Sequence, residues 1–408
     1  MILMTTATGT RPQLAHLTAQ IDDLKARGTF FKLRVLEDEQ APVCTYDGRR
    51  VINLASNNYL GLCNHPKLRE AAIAATVKYG VGSGAVRTIA GTMRIHMELE
   101  EKIAAFKNVE ACVVFQSGFT ANAGTVSSIL GKEDFILSDE LNHASIIDGA
   151  RLSKAKIKVF RHKDVAHAEE LLKEIENDPG RKLIITDGVF SMDGDIGPVD
   201  QLANLAEKYG AIMMVDDAHA SGVLGRNGRG SVDHFGVHGK VDIQVGTLSK
   251  AIASLGGYVC GSRDLIDYLY HRARPFLFST SHPPSVAATC IAAFDLLENE
   301  PERIERLWAN TWYFKQQLAD AGFDVGGVTT PKSETPITPI IIGDGRRTME
   351  FSKALFDAGV MATGIAFPTV QEGKARVRTI MTSEHTRAEI DQALETITAV
   401  AKRTGVLA

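Results

Sequence analysis

Six short apolar segments, separated by helical patterns, are the feature that most constrains the fold of this 408-residue chain. They cover residues 111–115, 135–137, 157–160, 183–186, 212–215 and 243–246. Short apolar runs without alternation are typical of strands that are buried on both faces. Between them, apolar side chains recur at helical spacing, as at Leu202, Leu205, Ala206 and Tyr209. The pattern predicts an α/β fold with a mostly parallel central sheet and helices on both of its faces.

Small or polar residues follow five of the six predicted strands. In chain order they are residues 116–119; Asp139, Asn142, His143 and Ser145; Asp187, Ser191 and Asp193; Asp216, Asp217 and His219; and Thr247, Ser249 and Lys250. Ligands of open α/β sheets bind at the carboxyl ends of the strands. We therefore expect these residues to form one site rather than a set of unrelated turns.

Lys250 is the candidate nucleophile of this site. It follows a predicted strand and a short turn, and the residues after it are mostly small: Ala251, Ala253, Ser254, Gly256 and Gly257. A lysine in a desolvated pocket loses proton affinity and can attack a carbonyl group. The alternative is an ordinary solvated lysine in a loop, and this segment by itself does not decide between the two.

Other residues of the same set match the parts of pyridoxal phosphate (PLP). Asp216 can pair with a protonated ring nitrogen, His219 can bond a ring hydroxyl, and His143 can stack on the ring. The residues around Gly118 open a helix, and a helix N-terminus is a natural phosphate site. PLP acts as an electron sink when an acidic partner keeps its ring nitrogen protonated. The sequence has no metal-ligand spacing, so we expect no metal.

The two ends of the chain differ from this central region. Apolar residues at helical spacing between Leu14 and Leu24 predict an N-terminal helix that leads into an arm with a hairpin. After residue 283 the pattern predicts two long helices, a strand, a further helix, and a last helix that opens with the capping box of Thr386 and Glu389. We predict three regions: an N-terminal helix and arm at 1–50, a large PLP-binding domain at 51–292, and a small C-terminal α/β domain at 293–408.

Composition and charge disfavour several classes of partner. The net charge is −4 and there is no long basic run, so nucleic acid is not expected. No apolar stretch reaches membrane-spanning length, and residues 1–13 lack the basic and apolar segments of a secretory signal. The five cysteines are scattered and never spaced as CxxC, which is typical of a reducing compartment. We expect a cytoplasmic protein without a membrane partner.

Five ordered motifs resemble one enzyme family. They are SNNYLGL at 56–62, LNHAS at 141–145, TDGVFSMDG at 186–194, VDDAH at 215–219 and GTLSKA at 246–251. Together they look like the α-oxoamine synthases, which are PLP enzymes of fold type I. The resemblance implies an enzyme that joins an amino acid to an acyl-CoA, and a homodimer with its sites at the subunit interface.

The resemblance also implies roles for individual residues. Lys250 would bind the cofactor as a Schiff base and remove a substrate proton, and His143 would stack on the cofactor ring. Asp216 would pair with the ring nitrogen. The other implied cofactor-binding residues are Ser117, Gly118, Phe119 and Thr247 at the phosphate, Ser191 and His219 at the ring hydroxyl, and Thr280 and Ser281 from the other subunit. Asn57 and Arg378 match positions that hold the carboxylate of the amino acid.

The substrate expectation rests on the same resemblance. The segments NHASIIDG, TDGVFSMDG and RPFLFS look most like 2-amino-3-ketobutyrate CoA ligase, or glycine C-acetyltransferase, an enzyme of threonine degradation. Glycine and acetyl-CoA are therefore the expected pair. The alternative is 8-amino-7-oxononanoate synthase, which joins L-alanine to pimeloyl-CoA in biotin biosynthesis, or an enzyme that accepts both pairs. An aminotransferase or lyase with the same cofactor, and a catalytically silent ligand-binding protein on this scaffold, also stay open.

Overall fold

The computed structural model describes residues 12–326 and 335–407. Its helices are α1 (Ala15–Ala26), α2 (Pro66–Tyr79), α3 (Arg94–Lys107), α4 (Gly118–Ile129), α5 (Ala144–Ser153), α6 (Val165–Glu174), α7 (Val199–Tyr209), α8 (Ser231–His234), α9 (Arg263–Arg272), α10 (Arg274–Leu277), α11 (Pro284–Asn299), α12 (Glu302–Asp320), α13 (Gly345–Asp357) and α14 (Arg387–Thr404). Within those two ranges, no helix combines the length and the apolar composition needed to cross a membrane.

The strands fall into one large sheet and two small ones. They are β1 (Val43–Tyr46), β2 (Arg49–Asn53), β3 (Ala111–Phe115), β4 (Phe135–Asp139), β5 (Lys156–Phe160), β6 (Lys182–Asp187), β7 (Ile212–Asp216), β8 (Ile243–Thr247), β9 (Gly257–Gly261), β10 (Ile337–Gly343), β11 (Val360–Met361), β12 (Thr363–Ile365) and β13 (Ala375–Ile380). The large sheet contains all six predicted strands, in the order β3-β9-β8-β7-β6-β4-β5.

The direction of the strands places the predicted site residues at one edge. The pairs from β5 through β4, β6 and β7 to β8 are parallel. Strand β9 is antiparallel to both β3 and β8, so β3 points the same way as β8. The carboxyl ends of β3, β4, β6, β7 and β8, which precede the five groups of small or polar residues, therefore reach the same edge of the sheet.

Both faces of this sheet are covered. Leu183 and Ile185 of β6 pack in a buried cluster with helices α4 and α5, whereas Ile184 packs with Leu172 of α6 and Leu202 of α7. Neighbouring positions on one strand therefore enter two different cores, and each needs an apolar side chain. This explains why the strands appear as unbroken apolar runs, and it confirms the predicted mostly parallel α/β fold.

Strand β9 is the element of the large sheet that the sequence analysis did not predict. It is short, bounded by Gly257 and Gly261, and follows a turn of small residues, so it resembles a loop. A Cβ at Gly257 would lie 2.4 Å from the carbonyl oxygen of Ser117. Only glycine allows this close approach of β9 to the start of α4.

The C-terminal region is built on the two small sheets. Strands β10, β13 and β12 form one, and β1, β2 and β11 form the other. Helices α12, α13 and α14 cover them through a cluster that joins Phe314, Phe351 and Ile397 to Ile52 and Leu54. The segment around β2 therefore shares its core with the C-terminal region, although it is far away in the sequence.

The division into residues 1–50, 51–292 and 293–408 stays a prediction. Its first boundary falls within β2, and its second falls within α11, which packs against α2 and α3. Residues 1–11, 327–334 and 408 belong to the first and last of these regions and lie outside the described residues. Most of residues 1–13, to which the expectation about a secretory signal applies, lies there too.

Candidate active site

Lys250 lies just after β8, at the carboxyl edge of the central sheet. Burial lowers the pKa of its amine to about 8, Arg378 adds to this shift, and the carboxylates of Asp216 and Asp187 oppose it. An ordinary lysine has a pKa of about 10.4, so this amine loses its proton much more readily. The neutral amine is the form that attacks a carbonyl group. These surroundings favour the nucleophile over a solvated surface lysine.

Two buried aspartates end neighbouring strands beside this amine. Asp187 of β6 and Asp216 of β7 are partners in the register of a parallel pair. Asp216 accepts hydrogen bonds from Asn122 Nδ2 at 2.6 Å and from the backbone N–H of Ala218 at 2.8 Å. Burial, together with nearby Asp216, raises the pKa of Asp187 well above its ordinary value. The doubly hydrogen-bonded Asp216 is suited to pair with a cation such as a protonated ring nitrogen.

The two histidines of the predicted set belong to the same group. His143 precedes α5, and its backbone N–H donates to Asp187 Oδ2 at 3.0 Å. The residue is exposed to solvent, yet the surrounding protein partly desolvates its ring and lowers its pKa. His219 lies in the turn after β7, where burial lowers its pKa well below the ordinary value, helped by the charge of Lys250. Its Nδ1 lies 2.7 Å from the hydroxyl oxygen of Tyr59.

The start of α4 lies against the end of β8. Ser117 caps the helix, since its Oγ accepts from the backbone N–H of Thr120 at 3.1 Å. The backbone N–H groups of Gly118 and Phe119 donate to no described residue. A Cβ at Gly118 would lie 3.4 Å from Thr247 Cβ, so the two segments adjoin. Unpaired N–H groups at a helix N-terminus form a phosphate site.

Arg378 reaches the site from β13. Its Nη1 donates to the carbonyl oxygen of Ser191 at 3.0 Å, and none of the described carboxylates forms an ion pair with it. Arg376, on the same strand, is different because it pairs with Asp193. Asn57 lies in the loop that also carries Tyr59, and its buried Oδ1 has no partner among the described residues. A guanidinium without an ion-pair partner can donate to a carboxylate ligand, and so can the Nδ2 group of an amide.

Thr280 and Ser281 are anchored to neighbouring loops. Ser281 Oγ lies 2.6 Å from Ser83 Oγ, and its backbone N–H donates to the carbonyl oxygen of Ala85 at 3.1 Å. Gln116 Nε2 donates to the carbonyl oxygen of Thr280 at 2.8 Å. Among the described residues, neither side chain forms a hydrogen bond with Lys250, Asp216, His143 or His219. Their predicted action on the phosphate in a second subunit stays a prediction.

This arrangement fits PLP. The aldehyde matches Lys250, and the ring nitrogen matches Asp216. The ring hydroxyl matches His219, and the phosphate matches the start of α4. The buried, unpaired Oδ1 of Asn57 is an atom that a ligand is expected to satisfy. In the part of the chain that the structure describes, no group of three or more His, Cys, Asp or Glu side chains could hold a metal ion.

Tyr59 and Asn122 are site residues to which the sequence analysis gave no role. Tyr59 contacts His219, while Asn122 donates to Asp216 and, at 2.9 Å, to Ser145 Oγ. An asparagine on a helix of small residues is a signal that could have drawn attention to Asn122. The contacts themselves join segments that lie far apart in the sequence, so spacing could not predict them.

Comparisons with known proteins agree with this geometry. Residues 49–397 match the family of class I and II aminotransferases. The chain is 57% identical over 391 residues to 8-amino-7-oxononanoate synthase of Symbiobacterium thermophilum, a match that covers 96% of this chain and 98% of that protein. It is also 57% identical over 395 residues to 8-amino-7-oxononanoate synthase 1 of Bacillus subtilis, covering 97% and 99%.

A solved structure supports the same assignment. A serine palmitoyltransferase of S. paucimobilis with PLP and myriocin bound matches with a TM-score of 0.91 at 31% identity, covering 97% of this chain and 99% of that one. The chain belongs to the α-oxoamine synthase family. This synthase is a PLP-dependent acyltransferase of fold type I, as the five sequence motifs implied.

The expectation that this synthase is a 2-amino-3-ketobutyrate CoA ligase using glycine and acetyl-CoA is wrong. Four relatives that are 54–57% identical to this chain over nearly its full length are 8-amino-7-oxononanoate synthases. The error has a physical cause. The first two segments that suggested the ligase contain His143 and Asp187, which lie beside Asp216 and Lys250 in the group that fits PLP, so they do not report on the acyl chain.

A buried ion pair supports the turn that carries His219. Asp217 follows Asp216 but is turned toward Lys107 of α3, whose Nζ lies 2.7 Å from its Oδ2. Both side chains are 0% exposed. Lys107 Nζ also donates to the carbonyl oxygen of Arg229 at 2.6 Å, and Ser231 Oγ donates to Asp217 Oδ1 at 2.5 Å. The pair therefore ties α3 to the end of β7 and to the loop that leads to α8.

We predict that Lys107→Met lowers the free energy of unfolding by about 3–5 kcal/mol, because it leaves the Asp217 carboxylate buried without a counter-charge. Urea denaturation of the holoenzyme measures this change. Lys102→Met is the matched control on the same helix, where partly exposed pairs with Asp295 and Glu298 should each contribute about 1 kcal/mol or less. Equal losses in the two variants would contradict the role of the buried pair.

Proposed function

We propose that this synthase is an 8-amino-7-oxononanoate synthase that joins L-alanine to pimeloyl-CoA and releases CoA and carbon dioxide. The observation that carries the proposal is a sequence identity of 57% to each of two enzymes of that name, over almost the whole chain. The reaction would belong to biotin biosynthesis. The guanidinium of Arg378, which forms no ion pair with a described carboxylate, supports a substrate that carries a carboxylate, such as an amino acid.

The proposed mechanism assigns two roles to Lys250, as the residue that binds the cofactor and as a general base. When bound, PLP supplies an electron sink that stabilises negative charge at the α-carbon of an amino acid. Lys250 holds the cofactor and, once displaced, takes the α-proton; a pKa near 8 suits this general base. Asp216 holds a proton on the ring nitrogen, and Asn122 orients its carboxylate through the 2.6 Å hydrogen bond. His143 stacks on the ring, and His219 donates to the ring oxygen.

The remaining residues orient the two ends of the bound molecules. The N–H groups of Gly118 and Phe119 bind the phosphate. Ser117 caps the N-terminus of α4, and Thr247 lies next to Gly118. Arg378 and Asn57 hold the substrate carboxylate. Ser191 lies beside the ring hydroxyl and is positioned through its carbonyl oxygen, which accepts from Arg378.

We also propose a homodimer in which Thr280 and Ser281 reach the phosphate of the partner subunit. Apolar side chains near this segment support it, since Ile89 is 84% exposed and Phe278 is 70% exposed. Helix α1 supports it as well, because none of its residues is buried although its apolar side chains recur at helical spacing. Exposed apolar surface of this extent marks an interaction site.

We propose a cytoplasmic location for the enzyme. All five cysteines are free thiols, and none of them is held in a disulfide. Free thiols fit a reducing compartment. No nucleic-acid partner is proposed, in keeping with the net charge of −4.

We expect alanine with pimeloyl-CoA to give the highest kcat/KM among glycine, alanine and serine, each tested with acetyl-, pimeloyl- and palmitoyl-CoA. Release of CoA is the measurement, and Lys250→Ala provides the blank. One methyl group contributes about 1–3 kcal/mol in an apolar pocket, so alanine should exceed glycine by roughly 10- to 200-fold. A preference for acetyl-CoA or palmitoyl-CoA would overturn the proposed substrate and leave the family assignment intact.

For the proposed dimer, we expect two variants that are inactive alone to restore activity when they are co-expressed and form mixed dimers. Lys250→Ala is one, and the double variant Thr280→Ala/Ser281→Ala is the other. If Thr280 and Ser281 act on the partner, a mixed dimer has one site with both defects and one with neither. Co-expression should then restore CoA release well above either variant alone. If they act within their own subunit, both sites of the mixed dimer stay defective and no recovery appears.

A further inference from the structure

Tyr59 and His219 form an isolated buried pair. Tyr59 is 1% exposed and His219 is 7% exposed. The hydroxyl oxygen of Tyr59 lies 2.7 Å from His219 Nδ1, and the two rings meet edge to face at 81°. The backbone holds the phenol in place, since the carbonyl oxygen of Tyr59 accepts from Ser383 N–H at 2.8 Å. Among the described residues, the hydroxyl has no other hydrogen-bond partner.

Both members of the pair are neutral. Burial raises the pKa of the Tyr59 hydroxyl far above its ordinary value, and burial lowers the pKa of His219 well below its own. The other charged or titratable groups that act on His219 are Lys250, Arg378 and His143, and each of them lowers its pKa further. A neutral imidazole carries one ring proton, on either Nδ1 or Nε2. The contact with Tyr59 decides which nitrogen carries it.

The phenol has to be the donor. If Nδ1–H donated to the phenol oxygen, the hydroxyl proton of Tyr59 would be buried without an acceptor among the described residues, which is unfavourable. If the phenol donates to Nδ1, the hydroxyl proton is satisfied and Nδ1 accepts. The ring proton of His219 then resides on Nε2. A second group that fixes a histidine tautomer in this way is common where the other nitrogen acts on a ligand.

We infer that Tyr59 is a positioning residue that fixes His219 in the Nε2–H form, so that His219 presents an N–H donor to the ring oxygen of PLP. This inference rests on the proposed role of His219, but it does not depend on which acyl-CoA is the substrate. Removing the hydroxyl would free Nδ1 to carry the proton. In the fraction of molecules with the proton on Nδ1, Nε2 of His219 would present a lone pair to the ring oxygen of PLP instead of an N–H donor.

The Schiff base between PLP and Lys250 reports on this donor. The negative ring oxygen attracts the proton of the Schiff base, and an N–H donor at that oxygen weakens the attraction. Tyr59→Phe should therefore raise the Schiff-base pKa by about half a unit to one unit, the effect of one hydrogen bond of ordinary strength. The pH dependence of the visible absorbance of the holoenzyme measures it, without any acyl-CoA.

Two further variants separate the possible outcomes. His219→Ala should raise the same pKa, and adding Tyr59→Phe to it should change nothing more. Tyr258→Phe is the matched control: it removes a buried hydroxyl that lies 2.7 Å from Ser221 Oγ, in the same turn as His219, and it should leave the pKa in place. A shift in His219→Ala without one in Tyr59→Phe would overturn the inference for Tyr59 alone. No shift in His219→Ala would overturn the role of His219, and the inference with it.

A direct measurement covers the case in which Tyr59→Phe fails to bind PLP. Nitrogen NMR of the ¹⁵N-histidine-labelled wild-type protein distinguishes the protonated from the unprotonated ring nitrogen, and the spectrum of His219→Ala assigns the signal. Protonated Nε2 with unprotonated Nδ1 is expected. A protonated Nδ1 would contradict the inference.

Discussion

Desolvation of the Lys250 amine is the condition on which the rest of the site depends. Its pKa falls to about 8 because protein surrounds it, and the carboxylates of Asp216 and Asp187 limit that fall. Without these carboxylates the pKa would fall further, and without burial the amine would stay protonated at neutral pH. The neighbouring carboxylates are therefore part of the chemistry, and the fold has to keep them beside the amine.

The central sheet provides this arrangement. Parallel strands bring Asp187 and Asp216 into register at adjacent carboxyl ends, and the end of β8 places Lys250 on the same edge. Antiparallel β9 then returns along β8 and brings Gly257 against Ser117, which joins the start of α4 to the turn that carries Lys250. Contacts from distant segments complete the site: Asn122 acts on Asp216, Tyr59 on His219, and Lys107 on Asp217.

The sequence predicted the features of the fold and the site that depend on local pattern. Apolar runs located six strands, and chemical type together with position after a strand identified Lys250, Asp216, His143 and His219 as one group. Strand β9 was missed because glycines bound it and small residues precede it. Tyr59 and Asn122 gained no role because their partners lie far away in the sequence. The substrate was predicted wrongly because residues that hold a shared cofactor carry little information about the acyl chain.

The position of the covalent link to the cofactor tests the central claim most directly. PLP is added to cofactor-free protein at a series of pH values, trapped with borohydride, and located by peptide mass spectrometry. We expect the label on Lys250, with a rate that rises as Lys250 loses its proton and levels off above a pH of about 8. A label on another lysine, or a rate that keeps rising to the ordinary lysine pKa of about 10.4, would contradict it.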